Sequence, residues 1–130
     1  MQSTQQKLSF SKQERIKSKK RIEEIFEKGK KLKQFPFKLN YIEINDTQPY
    51  PAQIVVSVPK KIVKLATKRN RLKRQIKEIY RLYKPQLYQT LNQKNKKVAL
   101  FLIYTGKEKE EYHFLEKKII LLFKKLQEQL

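Results

Sequence analysis

The chain contains 130 residues, with 32 lysines and arginines against 12 aspartates and glutamates, so its formal net charge is +20 at pH 7. This length predicts one domain with a modest core. Such an excess of like charge favours a polyanionic partner that relieves the self-repulsion. The absence of cysteine and the single histidine exclude disulfides, thiolate metal sites and a multi-histidine zinc site.

The composition also predicts a folded chain that stays out of membranes. A content of 38% hydrophobic residues, with seven Phe and seven Tyr, argues against a disordered basic chain. No secretory signal follows Met1, and the longest apolar run, residues 98–104, is shorter than the about 20 residues that span a bilayer. We expect a soluble cytoplasmic protein, with a flexible N-terminal segment at residues 1–10 and a single domain at residues 11–130.

Two patterns near the start of the chain predict a capped turn and a helix. SKQE at residues 11–14 has the capping-box pattern, in which the Glu14 side chain reaches back to the backbone of Ser11. In SKKRIEEIFEKG (18–29), Ser18 suits the N-cap, the apolar residues fall on one face, and Gly29 lies where a left-handed C-cap is expected.

Two strands are predicted next. In FPFKLNYIEI (35–44), Phe37, Leu39 and Tyr41 alternate with other residues, which indicates a half-buried strand, and AQIVVSV (52–58) is rich in β-branched residues. Because a short turn-forming segment joins these strands, we expect them to pair antiparallel.

The second half of the chain predicts a helix, a strand and a helix. A helical period runs from about Ala66 to Tyr83, and the polar stretch after Pro85 either continues as a short helix or forms a loop. VALFLIYT (98–105) is typical of a strand covered on both faces, and residues 112–130 have the apolar period of a terminal helix. The predicted fold is an α+β two-layer sandwich, a small mixed sheet with about three helices in the order α-β-β-(β)-α-β-α.

The segment from Lys60 to Lys84 is dense in lysine and arginine and contains one acid, Glu78. At about 100° per residue, one side of its helix is an apolar stripe. The stripe consists of Leu72, Ile76, Ile79 and Tyr83; the opposite side carries Asn70, Arg74, Lys77 and Arg81, with Arg71 and Lys73 on the flanks. Arginine forks bind phosphate oxygens, and the lack of interleaved acids tells against a merely solvated surface, so the pattern predicts a phosphate-binding helix.

The motif SVPKK (57–61) followed by KRNRLKRQIKEIYR (68–81) resembles the signature of the bacterial ribonuclease P protein subunit. RIKSKKRIEEIFEKGKKLKQFPFKLNY (15–41) is similar to that family's first helix and first strand, and the resemblance covers roughly residues 10–126. The chain departs from the family at one place: many members have a Gly-Asn pair after Ser-Val-x-Lys-Lys, where this chain has IVKLATK.

The resemblance implies the ribonuclease P protein fold, which is similar to the second domain of the fifth protein of the small ribosomal subunit. It implies a small partner of a catalytic RNA that removes the 5′ leader of precursor tRNA. The RNA subunit would supply the active site and bind most of the Mg²⁺. The chain would then be an endoribonuclease holoenzyme subunit that is inactive alone, with no catalytic residue and no metal of its own.

The resemblance and the charge pattern together assign two groups of site residues. The group predicted to bind the catalytic RNA is Lys60, Lys61, Lys64, Lys68, Arg69, Asn70, Arg71, Lys73, Arg74 and Lys77. The group predicted to bind the single-stranded leader, between the first helix and the sheet, is Phe26, Phe37, Tyr41, Arg15 and Lys17. Unpaired bases stack on such rings. The alternative for each aromatic residue is an ordinary core position, and for Phe26 this alternative is at least as favoured.

Three other classes of protein fit part of this pattern. A structural rRNA-binding or ribosome-assembly protein suits the charge, size and layering equally, but not the specific KRNRLKR helix directly after SVPKK. A DNA-binding regulator needs a partner helix at a tight turn, which Pro59 and the strand before it do not provide. A membrane-surface helix is disfavoured because the apolar stripe is narrow. His113 is expected to be a helix-start or packing residue rather than a general base. The oligomeric state stays open.

Overall fold

The computed structural model of the protein describes residues 10–45, 49–108 and 110–130. A 3-10 helix at Lys12–Glu14 is followed by α1 (Lys19–Lys28), β1 (Lys30–Gln34), β2 (Phe37–Ile44), β3 (Ala52–Ser57), α2 (Ala66–Gln93), β4 (Lys97–Tyr104) and α3 (Tyr112–Gln129). The predicted α+β class and element order are confirmed. The strand to which the sequence patterns assign no residues is β1. Its sequence KKLKQ has one apolar residue and therefore shows no alternation.

The four strands form one mixed sheet in the order β1-β2-β4-β3. Neighbours β1, β2 and β4 pair antiparallel, whereas β3 pairs parallel to β4. The expectation that β2 and β3 pair antiparallel is therefore wrong, because β4 lies between them. The long helix α2 separates β3 from β4 in sequence, and a connection of that length allows a parallel crossover.

One face of the sheet packs against α2 and α3 and forms the main core. The predicted stripe of α2 is confirmed: Leu72, Ile76, Ile79 and Tyr83 are all buried. The helix also continues through Pro85 to Gln93, because Leu87 and Leu91 extend the same buried stripe. This packing holds the second half of α2 in place despite the backbone hydrogen bond that a proline removes.

The other face of the sheet is covered only in part, by α1 and the residues before it. A small cluster of Ile16, Ile25, Ile44 and Ala99 packs there. Gly29 ends α1, but its φ of −74° is not left-handed, which corrects the predicted C-cap conformation. Glycine is needed for space instead, since a Cβ at this position would lie 2.2 Å from the Ile25 carbonyl oxygen.

The partial cover also corrects the prediction that β4 is buried on both faces. Val98, Leu100, Leu102 and Tyr104 are buried on the core face, but Phe101 and its neighbour Ile103 are only half-buried on the other face. No helix in the described ranges is long and apolar enough to cross a membrane.

The N-terminal segment begins as a docked element at Phe10. The centres of the Phe10 and Tyr80 rings lie 5.8 Å apart in an edge-on contact, so Phe10 does not belong to a flexible segment. The rest of that prediction, residues 1–9, lies outside the described residues. The Glu14 half of the predicted capping box is confirmed, because the Ser11 backbone N–H donates to Glu14 Oε1 at 2.8 Å.

Candidate nucleic-acid interface

The outer side of α2 is a fixed row of cations, as its helical period predicts. Asn70 and Arg74 are exposed and point away from the core that holds Leu72 and Ile76. Neither Arg71 nor Arg74 makes an ion pair with a described residue, so both guanidinium groups are free to meet phosphate oxygens. Because the helix is anchored by its buried stripe, these side chains are presented without the entropy cost of ordering a loose segment.

The loop before α2 carries three of the predicted cations, Lys60, Lys61 and Lys64, all exposed. Arg69 ties this loop to the helix, because its Nη1 donates to the carbonyl oxygens of Val63 at 3.1 Å and Lys64 at 2.8 Å. Arg69 thus has a structural role besides the predicted one. Within the described residues the one non-glycine residue with positive φ is Asn95, so this loop needs no glycine in place of IVKLATK.

The two flanks of α2 differ in charge. On the flank toward α3, Lys68 Nζ lies 3.1 Å from Glu108 Oε1, and Arg71 lines a cavity whose other wall is acidic. That wall includes Glu108, Glu110 and Glu111, from the loop before α3. The charge of Lys68 is therefore partly neutralised, and on this flank the row of cations on α2 is bordered by carboxylates.

The other flank has positive neighbours and joins the two predicted groups of site residues. Burial, and then the positive charges of Arg15 and Lys73, lower the pKa of the Lys77 ammonium. The positive charge of Arg15, predicted to bind the leader, therefore acts on Lys77, which is predicted with Lys73 to bind the catalytic RNA. Like charges this close repel, and an anion between them would relieve the repulsion.

Exposed positive residues continue from Arg15 to the start of α1. Lys17 is exposed, and a shallow pocket at this point is lined by Arg15, Ile16, Lys17, Ser18, Lys20, Arg21, Glu24 and Gln53. Ser18 caps α1 as predicted, since its Oγ accepts from the Arg21 backbone N–H at 3.2 Å. We call the region formed by α2 residues 70, 71, 73, 74 and 77 together with Arg15 and Lys17 the cationic surface.

The three predicted leader-binding aromatics separate into one exposed ring and two buried rings. Phe26 is 48% exposed, but Phe37 is 1% and Tyr41 is 3% exposed, both within the main core. The prediction that Phe37 and Tyr41 offer rings to the leader is therefore wrong. The alternation that marks β2 as a strand points Phe37, Leu39 and Tyr41 toward α2 and α3, which is where burial of apolar surface is favourable.

The face of the sheet that α1 leaves open carries a different set of side chains. Phe101 pairs with Asn40 and Ile103 with Lys38 across β2 and β4, so all four share this face. The Phe26 and Phe101 rings are in contact, with their centres 4.9 Å apart and their planes tilted. We call Lys38, Asn40, Phe101 and Ile103, with Phe26 at the rim, the open sheet face.

Phe101, Lys38 and Asn40 were missed by sequence reasoning. Their signal was the parity of the strands, since residues of β2 and β4 that alternate with the core set must face the other side. Asn40 is 2% exposed, and its Oδ1 has no hydrogen-bond partner in the described part of the chain. A buried amide oxygen left without a donor costs about 1–3 kcal/mol, so Asn40 lowers the stability of this face.

The single histidine lies outside both surfaces. His113 is exposed in the first turn of α3, 3.7 Å from Glu116, as expected of a helix-start residue. Over the described ranges, no group of three or more His, Asp or Glu side chains is placed to hold a metal ion.

The fold and its surface define a small α+β protein with a rigid cationic helix beside a half-open sheet. The family model described as Ribonuclease P matches residues 10–127. The chain belongs to the ribonuclease P protein family.

Individual relatives agree with this assignment. The ribonuclease P protein component of Porphyromonas gingivalis is 29% identical over 108 residues, covering 83% of this chain and 79% of that protein. That of Rippkaea orientalis is 31% identical over 80 residues, covering 60% of this chain and 63% of that protein.

Two solved structures share the fold. The RNase P protein from Staphylococcus aureus superposes with a TM-score of 0.70 at 19% identity, covering 87% of this chain and 94% of that one. The RNase P protein from Thermotoga maritima superposes with a TM-score of 0.64 at 24% identity, covering 86% and 96%.

Proposed function

We propose that this chain is the protein subunit of a ribonuclease P holoenzyme. It binds the catalytic RNA through the cationic surface and binds the single-stranded 5′ leader of precursor tRNA on the open sheet face. The hydrolysis that gives the mature tRNA 5′ end is carried by the RNA, which binds most of the Mg²⁺. The protein supplies positive charge and substrate contacts, and it has no nuclease activity alone.

The observation that carries the RNA-binding proposal is the row of cations on the outer side of α2, which Arg15 joins through the Phe10 ring that packs on Tyr80. These cations belong to two separate elements, and the charges that act on Lys77 from its neighbours Arg15 and Lys73 are both positive. A folded protein gains nothing from such an arrangement by itself, because it lowers stability. Phosphate groups of a folded RNA would offset the repulsion and release their counterions on binding.

The open sheet face suits a short unpaired strand of RNA. Phe26 and Phe101 offer aromatic surface on which bases stack, and Lys38 lies in the next row of the sheet to hold a phosphate. The arrangement combines sequence-tolerant stacking with one polar contact, as leaders of many different precursors require.

The test is reconstitution with a ribonuclease P RNA transcript and a labelled precursor tRNA at low Mg²⁺, where the RNA alone cleaves slowly. We expect the purified chain to restore cleavage at the mature 5′ end. A chain that binds RNA without raising the rate of cleavage would contradict the proposal and favour a structural or ribosome-assembly role.

A matched pair of variants tests the site. Arg71→Gln with Arg74→Gln removes two cations from α2 that make no ion pair with a described residue, so the fold should be retained. Lys117→Gln with Lys124→Gln removes the same charge from exposed positions on α3. We expect only the first pair to weaken RNA binding strongly. The slope of log affinity against log salt concentration should fall in magnitude by about 2, for two lost phosphate contacts. Equal effects of both pairs would reduce the interface to net charge.

A further inference from the structure

The segment in front of α1 is fixed to α2 by a buried ion pair. Lys84 Nζ lies 2.7 Å from Glu14 Oε2, and these side chains are only 2% and 1% exposed. The Tyr88 hydroxyl donates to the same carboxylate oxygen, and the Ser11 backbone N–H donates to Glu14 Oε1 at 2.8 Å. Glu14 therefore ties its own segment to two residues on the second half of α2.

The remainder of this segment is fitted around the pair. Phe10 packs on Tyr80, the Lys84 ammonium lies 6.0 Å from the Phe10 ring centre, and the Arg15 guanidinium lies 4.8 Å from the same centre. On the far side, the Ile16 backbone N–H donates to the Ile54 carbonyl oxygen at 3.0 Å, which closes the outer edge of β3.

Arg15 is thereby held where electrostatics opposes it. Its guanidinium lies close enough to Lys77 to act on the charge of that ammonium, and both carry the same sign. The attraction between Glu14 and Lys84 is the contact next to Arg15 in sequence that offsets this repulsion. Without it, a segment bearing Arg15 and Lys17 beside α2 would be expected to separate from the helix in the absence of RNA.

We infer that Glu14 is a positioning residue for RNA binding: through Lys84 and Tyr88 it holds the segment of residues 10–16 so that Arg15 lies beside α2 as part of the cationic surface. Glu14 does not touch RNA, since it is buried. Its effect on affinity passes through Arg15. This inference rests on the proposed function, and it gives an acidic residue a favourable role in binding a polyanion.

That sign makes the inference testable. Glu14→Gln keeps the side-chain shape and makes the chain more positive, so net charge alone predicts tighter RNA binding. We expect the opposite, roughly three- to tenfold weaker binding of a ribonuclease P RNA transcript. The slope of log affinity against log salt concentration should fall in magnitude by about 1, as for one lost phosphate contact. The control is Glu128→Gln, the same change at an exposed position near the end of α3, which should bind as tightly as the parent or slightly more tightly.

A double-mutant cycle separates positioning from general damage. In an Arg15→Gln background, Glu14→Gln should cause no further loss of affinity, because the cation that it positions is already gone. Hydrogen exchange supplies a second readout: in Glu14→Gln the Ile16 amide should exchange faster than in the parent, while the buried amides of α2 and α3 still exchange much more slowly than Ile16, because the core stays folded. If Glu14→Gln exposes those amides too, Tyr88→Phe, which removes one hydrogen bond to Glu14, should show the same Arg15-dependent loss at smaller size.

The outcomes distinguish the two proposals. A parent protein that does not bind the transcript contradicts the proposed function and the inference with it. A parent that binds, with Glu14→Gln binding as tightly as Glu128→Gln, contradicts the inference alone. A loss that is equally large in the Arg15→Gln background, for Glu14→Gln and for Tyr88→Phe, also overturns it, because Glu14 would then act on the whole fold.

Discussion

The two faces of the sheet differ in how completely they are covered. The face toward α2 and α3 buries Phe37, Leu39 and Tyr41 almost entirely, whereas the opposite face leaves Phe101 half-buried and Phe26 at its rim about half-exposed. Both faces carry aromatic rings, so composition does not separate a packing ring from a binding ring. The difference lies in strand parity and in the length of α1, which is too short to cover the sheet from end to end.

The largest effect that tests this comparison is expected at Phe37. Phe37→Ala should lower the free energy of unfolding by about 3–5 kcal/mol, because it leaves a cavity beside Tyr104 in the main core. Denaturant unfolding measures it, with Phe26→Ala as the control, which should lose about 1 kcal/mol or less. Full stability in Phe37→Ala, together with a leader-specific loss of affinity, would return Phe37 to the binding site.

The buried ion pair should give the next largest effect. Glu14→Gln removes the carboxylate that lies 2.7 Å from Lys84 Nζ in this buried pair and should cost about 3 kcal/mol near neutral pH. Burial alone would raise the pKa of Glu14, but the hydrogen bonds from Lys84, Tyr88 and Ser11 and the charge of Lys84 outweigh it, so the pKa lies below its usual value. A carboxyl with a lowered pKa in the folded state contributes stability above its unfolded pKa and loses it as the pH falls through the folded pKa.

Unfolding measured across acidic pH checks this sign. The parent should lose its advantage over Glu14→Gln as the solution is acidified, while Glu128→Gln follows the parent throughout. A gap between parent and Glu14→Gln that does not change with pH would show that the carboxylate charge is not what stabilises the segment.

Stacking on the open sheet face should have an intermediate effect on binding. Phe101→Ala or Phe26→Ala should weaken holoenzyme binding of precursor tRNA by about 1–3 kcal/mol per lost base contact, and leave binding of mature tRNA nearly unchanged. Phe35→Ala is the matched control, since Phe35 is also an exposed ring but lies in the turn between β1 and β2. Equal losses for precursor and mature tRNA would indicate damage to the sheet rather than a lost leader contact.

The smallest expected effect is a gain of stability at Lys77. Its pKa is lowered in the folded state, so the charged form is disfavoured there and removing the charge should stabilise the free protein. Lys77→Met should therefore raise the free energy of unfolding at low salt by less than about 1 kcal/mol. It should nevertheless bind RNA more weakly. The control Lys124→Met, at an exposed position on α3, should not combine a gain of stability with a loss of RNA affinity. A Lys77→Met protein that is less stable and binds RNA equally well would contradict the like-charge cluster.

Much of the interface could be predicted because α2 is a long helix with one strong period. The stripe through Leu72 and Ile76 fixes the direction of Asn70 and Arg74 with no information from the rest of the chain, since side-chain directions around a helix follow from its geometry. The strands gave less. In VALFLIYT nearly every residue is apolar, so the alternation that would have separated Phe101 from Leu100 is hidden, and only the extent of α1 shows that Phe101 is left open.

The sequence by itself determined the class, the basic helix and its outward residues, because helical period, charge density and strand alternation are local properties. Tertiary structure alone decided three things: that β4 lies between β2 and β3, that Lys84 turns inward to Glu14 whereas Lys68, Lys73 and Lys77 of the same helix are not buried, and that Arg15 comes to lie beside α2. Each depends on contacts between residues far apart in the chain, for which a single sequence carries no periodic signal.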